Sequence, residues 1–303
     1  MERLFKNNIL IIVILLVFGI VVLNGDYLSL QEFKQNEEYR QIMIEECKDT
    51  IKTSQDKKGI DLCKEALETE NSEYDFYTVF TDVLVWRVQY IYYLAFLIVV
   101  VPTLYKVCKI LRNKSIINTS TRESYKSFLK HFFKTAYQYI WILPLLALIM
   151  MIPLLITTSL NPEYSILNGT SGWSSSIVYH PALFVVSYLV YLMICSIIFV
   201  NISLFVARFQ QKFIPCVILS YVVYFAIEIF LETVVGIFFF SKILHSGAGI
   251  LFNILNIFSF HDSYGIPALL LVNIFLAVLS SVFLYLIYRN KEKLVIQCEK
   301  NNK

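Results

Sequence analysis

Glycine and proline are scarce in this chain, nine and seven of its 303 residues, and charge is scarce too, at 16% of positions. A membrane β-barrel needs segments of about ten residues with alternating polarity and a turn after each, and this sequence offers neither. A soluble domain carries about a quarter charged residues, well above the fraction here. Catalytic signatures are missing as well. No G-x-x-x-x-G-K-[ST] phosphate cradle occurs, which excludes an ATPase within this chain. The histidines His131, His180, His245 and His261 are scattered, and none makes the H-E-x-x-H spacing that would present two metal ligands and a base on one helix face. There is no G-x-S-x-G nucleophile turn, and the SGWSSS run lacks a histidine partner. His261 beside Asp262 reads as a solvated loop pair. No catalytic residue, metal site or nucleic-acid partner is therefore expected.

What is present is hydrocarbon: 57% of the residues are hydrophobic, including 24 Phe and 20 Tyr. Runs near the twenty residues needed to cross a core of ~30 Å occur six times, over 9–23, 84–105, 137–157, 181–206, 213–240 and 267–288. The fold expected is an all-α integral membrane protein with six transmembrane helices. Residues 1–23 form a short head and the first span, 24–83 an outer domain, and 84–303 the remaining five-helix region. The first span lacks a small-x-small cleavage pattern after it and reads as a retained anchor.

Lysine and arginine segregate between the spans. They crowd into the head, the second connection, the fourth connection and the tail, whereas the third connection has none and the fifth has only Lys242. Positively charged short segments stay in the cytoplasm, so both termini are expected there, with the first, third and fifth connections outside. Trp86 and Tyr90 at one interface, and Tyr137, Tyr139 and Trp141 at the other, fit an aromatic belt.

The first connection carries fifteen acidic residues against seven basic ones. Ile44, Cys47 and Ile51, then Ile60, Cys63 and Leu67, recur at helical spacing on either side of a turn-like TSQDKKG, which suggests a small helical hairpin. Cys47 and Cys63 are the two cysteines expected outside. A disulfide between them would add ~3 kcal/mol to a domain with little core, and a pair of buried free thiols is the alternative.

The second connection ends in NTSTRESYKSFLKHFFKT. Ser120 and Glu123 fit a capping box at a helix start. Beyond it Tyr125, Phe128, Leu129, Phe132, Phe133 and Ala136 recur on one face while Lys126, Lys130 and Lys134 recur on another. An amphipathic helix over 120–136, lying on the cytoplasmic membrane surface, is expected, its lysines each gaining ~1 kcal/mol near anionic lipid headgroups.

Six spans with both ends inside, a polar outer domain after the first, this basic segment entering the third span, and a last span running into the charged tail FLYLIYRNKEKL together resemble an ABC-2-type transporter permease. The resemblance covers essentially the whole chain and rests on layout more than on signature residues. It implies a subunit without its own ATPase, pairing with a second permease copy or paralogue and with a separate ABC ATPase subunit that holds ATP and Mg. It also implies that Glu123, Tyr125, Phe128, Leu129 and Phe132 dock or couple to that ATPase. Finally, it suggests a fifth span ending near Glu232, followed by two short re-entrant helices within 233–260, with one long tilted span as the other reading.

Charged groups inside a span cost at least ~2.5 kcal/mol and mark candidate sites. Glu228 and Glu232, four residues apart, are expected on one face of the fifth span as pathway residues, with Asn201 of the fourth span as a weaker candidate. Arg87 is expected to snorkel to headgroups. The function expected is the membrane subunit of an ATP-driven exporter in the cell membrane. The competing class is a polytopic immunity, sensor or assembly protein that uses the acidic domain to bind a ligand.

Overall fold

The computed structural model describes residues 2–53, 75–88, 90–112, 124–160, 180–252 and 266–290. These residues form α1 (Glu2–Thr53), α2 (Phe76–Asp82), α3 (Tyr90–Arg112), α4 (Tyr125–Tyr137), α5 (Ile142–Thr157), α6 (Pro181–Phe209), α7 (Phe213–Phe230) and α8 (Ile266–Tyr288). A π-helical turn, Val83–Arg87, follows α2, and a longer π-helix, Leu231–Ile243, continues α7 before a 3-10 helix, Gly247–Phe252. Among the described residues there is no strand, only an isolated bridge between Asp75 and Ser159.

Six of the helical stretches are long and apolar enough to cross a membrane, at the same six places that hydropathy indicates. The protein is an all-helical, multi-pass membrane protein. The 29 residues of α6 contain no glycine and no proline after Pro181 at its start, so nothing interrupts its hydrogen-bond ladder. That helix is the centre of the bundle, with α3, α5, α7 and α8 packed around it. Its fully buried Cys195, Ser196, Ser203 and Ala207 are small, which lets neighbouring backbones approach. By contrast α8 touches α6 and the 3-10 helix and leaves Leu271, Phe275, Val278 and Leu286 exposed, a surface for lipid or a partner span.

The ends of the bundle differ. At one, α4, the C-termini of α3, α6 and α8 and the start of α7 meet, tied by Tyr105 against Phe213 and by Lys106 over the Tyr139 ring at 4.9 Å. Lys109, Arg112, Lys126, Lys130, Lys134, Lys212 and Arg289 are all exposed here, making it the basic end. At the opposite end α2 is capped by Asp75, whose carboxylate accepts the Thr78 N–H at 2.8 Å. Phe76, Tyr77 and Phe80 interlock there with Phe184 and Tyr188. Burial, and then the Asp75 carboxylate, push the Tyr77 phenol above its ordinary range.

Two expected boundaries shift. The helix of the first span does not stop at residue 23: α1 runs unbroken for 52 residues, about 78 Å at 1.5 Å per residue, more than twice the hydrocarbon thickness. The stripe Ile44, Cys47, Ile51 therefore belongs to the same helix as the span. Cys47 is half-buried on it, while Cys63 and the second arm of the expected hairpin lie outside the described residues. In the fifth span the chain stays helical through Glu232 to Ile243, which matches the single long span and not a break at 233. It then reverses at His245, whose φ of 49° is left-handed, a conformation histidine adopts more readily than most residues. The second re-entrant helix, beyond 252, lies outside the described residues.

The reversal is locked by two glycines. A Cβ on Gly249 would stand 2.5 Å from the Gly236 carbonyl oxygen, so only glycine permits this approach of the 3-10 helix to the π-helix.

Candidate functional site

The basic end is organised by Tyr288, the last residue of α8, which is fully buried. Its hydroxyl donates to the Leu204 carbonyl at 2.8 Å, and the Arg208 guanidinium lies over its ring at 5.7 Å, both from α6. From α4, Phe132 packs on that ring at 5.4 Å and Phe133 at 5.8 Å, and the Tyr125 hydroxyl donates to the Tyr288 carbonyl. One side chain thus ties three helices together.

This explains where the amphipathic stripe of α4 goes. Phe128 and Phe132 are 7% and 1% exposed, and Tyr125 and Leu129 are half-buried, all facing the bundle and not lipid. Any coupling through them would pass inward, into the bundle. What α4 presents outward is Lys126, Ser127, Lys130, His131 and Lys134. The helix opens at Ser124, whose hydroxyl accepts the Ser127 N–H at 3.3 Å, four residues after the expected cap. Ser120 and Glu123 lie outside the described residues.

Of the intramembrane candidates, Asn201 is 2% exposed and fully engaged. Its amide donates to the Ser280 and Ser281 hydroxyls at 2.8 and 2.9 Å, and its carbonyl accepts the Tyr137 hydroxyl. Asn201 is a clasp between α6, α8 and the end of α4.

Glu228 and Glu232 part company. Glu228 is 1% exposed, enclosed by its own bundle beside Tyr191, Cys195 and Tyr224. Behind Cys195 lies Asn273 of α8, whose Oδ1 is 3.9 Å from the thiol. Glu232 is exposed.

Sequence reasoning also missed four things. Arg87 bonds Glu32 and lies 3.6 Å from Asp82, joining α1 to the π-turn. Ser29 completes that joint with a 2.6 Å bond to Asp82. The thiols of Cys108 and Cys216 meet where α3 crosses α7. Asp26, read as part of an acidic outer segment, is buried. No local pattern marks any of these, because each depends on which helices become neighbours.

No protein-family model matches the chain, and neither a curated protein nor a solved structure matches it.

Proposed function

We propose that this chain is the membrane subunit of an ATP-driven exporter of the ABC-2 type, set in the cell membrane with its basic end and both termini in the cytoplasm. A second copy or a paralogue completes the translocation path, and a separate ATPase subunit binds ATP and Mg and supplies the work. The segment after the first span is then extracytoplasmic.

The observation that carries this reading is the mounting of α4. Its lysines face outward at the basic end, while Tyr125, Phe128 and Phe132 brace it against α3, α6 and α8. A helix mounted so passes a push from a docked protein directly into the spans. Anchoring at anionic headgroups alone would leave the apolar stripe in lipid. Opposite charge on the partner's surface would steer docking to Lys126, Lys130 and Lys134.

Purification of the tagged chain from its own host's membranes tests the proposal. Recovery with a P-loop ATPase whose hydrolysis depends on this chain, and which cross-links to Lys130→Cys, is the result expected. A chain recovered alone, with Lys130→Cys accessibility indifferent to nucleotide, overturns it. That outcome would favour the sensor or immunity reading, for which α1 is the specific argument: beyond Glu32, which still reaches Arg87, its acidic half continues to Thr53 as a stalk of about 30 Å.

A further inference from the structure

Cys108 on α3 and Cys216 on α7 are free thiols, 3% and 0% exposed. Their side chains hydrogen-bond to each other where the two helices pack. Each lies about one turn from the basic end, Cys108 four residues before α3 finishes at Arg112 and Cys216 three residues after α7 begins at Phe213. The pair therefore sits near the water boundary and not in the middle of the hydrocarbon.

Two thiols in contact serve chemically as metal ligands or as the halves of a disulfide. Zinc takes four ligands, and among the described residues no group of three His, Cys, Asp or Glu converges to hold a metal. A disulfide asks for no added space, because closure draws the two sulfurs together and places nothing between them. Cys195, buried on α6, has different company: it meets Tyr191 and Asn273. It is the internal control for what burial alone does to a thiol.

We propose that Cys108 and Cys216 are an oxidation site, which hydrogen peroxide closes to a reversible disulfide clamping α3 to α7 at the basic end. Cys108, which keeps the residual exposure, meets the oxidant first. Its sulfur gives up its proton and attacks one peroxide oxygen; the O–O bond breaks, the hydroxide released takes that proton as water, and Cys108 becomes a sulfenic acid. Cys216 then attacks this sulfur, the S–O bond breaks, and the departing hydroxide leaves as water with the Cys216 proton. Two thiols and one peroxide thus give one disulfide and two waters, and a dithiol reductant reverses the bond. Because α4 leans on α3, the clamp lies beside the helix that carries the outward lysines. This chemistry is a property of the chain alone and stands apart from whether an ATPase partner exists.

The test is treatment of the purified, detergent-solubilised chain with hydrogen peroxide, followed by alkylation in denaturant, proteolysis and mass spectrometry without reductant. The result expected is loss of both thiols to a peptide pair joining Cys108 to Cys216, lighter by two hydrogens and released by dithiothreitol, while Cys195 is still alkylated. Cys216→Ser should give no such pair and leave Cys108 as a sulfenic acid that dimedone traps. Cys216→Ala provides the same comparison should the serine variant fail to fold. Cys108 and Cys216 both alkylated after peroxide, cross-links spread evenly over Cys195 and the other cysteines, or a Cys108 sulfenic acid that persists in the parent chain overturns the proposal.

Discussion

Asn201 and Tyr137 stand 64 residues apart in the chain, yet the tyrosine hydroxyl donates to the asparagine carbonyl inside the bundle. The same asparagine holds two serines of α8, so three segments close on one amide. In hydrocarbon such bonds have no water to fall back on, and all three must be lost together.

Asn201→Leu should accordingly destabilise the protein by about 1–2 kcal/mol, since individual bonds of this kind in membranes contribute about 0.6 and at most 1.7 kcal/mol. The measurement is unfolding in mixed micelles. Asn201→Leu as stable as the parent would show that the clasp contributes nothing net.

Tyr288 allows its ring and its hydroxyl to be separated. Tyr288→Phe removes the bond to the Leu204 carbonyl and keeps the contacts with Phe132 and Phe133, so its cost should stay near 1 kcal/mol. Tyr288→Ala empties a fully buried site and should cost about 3–5 kcal/mol, releasing α4 from α8. Thermal unfolding orders the two variants. Equal losses would mean that the hydroxyl bond to α6, and not the aromatic stack with α4, carries the contribution of Tyr288.

The number of spans was legible because hydrocarbon thickness dictates a run length, and a run length is visible in one dimension. The destination of the α4 stripe was not, since the same 3.6-residue period serves a helix lying on lipid and a helix lying on its own bundle; only Tyr288 decides between them, and it is one of 20 tyrosines. Four-residue spacing puts Glu228 and Glu232 on one helix face but does not say which of them the bundle covers, and it covers only Glu228. Asp26 was hidden by its neighbours' acidity, which marked the whole segment as solvated although α1 passes the π-turn closely enough to bury that one side chain.

Gly249 and Gly236 should differ in their tolerance of alanine. A Cβ at Gly249 would meet the Gly236 backbone at 2.5 Å, whereas one at Gly236 would meet the nearest atom, the Gly249 carbonyl oxygen, at 3.2 Å. Gly249→Ala must push the 3-10 helix off the π-helix; Gly236→Ala asks for a shift of a few tenths of an ångström. Amide exchange over 231–252 should quicken strongly in the first and slightly in the second. The reverse order would mean that the reversal at His245 is held by something other than this glycine contact.

Orientation is the prediction on which the proposed function depends. Lys126, Lys130 and Lys134 are exposed at the basic end, together with Lys109 and Lys212. Positive charge flanking short spans is retained in the cytoplasm, so an impermeant amine reagent applied to intact cells should leave these five unmodified. On the acidic side, Lys34, Lys48 and Lys52 of α1 belong to the opposite end and should react under the same conditions. Mass spectrometry of the labelled chain reads both groups in one sample, with permeabilised cells showing that every lysine is chemically competent. Labelling of Lys126 and Lys130 in sealed cells would invert the bundle. It would put α4 out of reach of any cytoplasmic ATPase, and the exporter reading would fall with it.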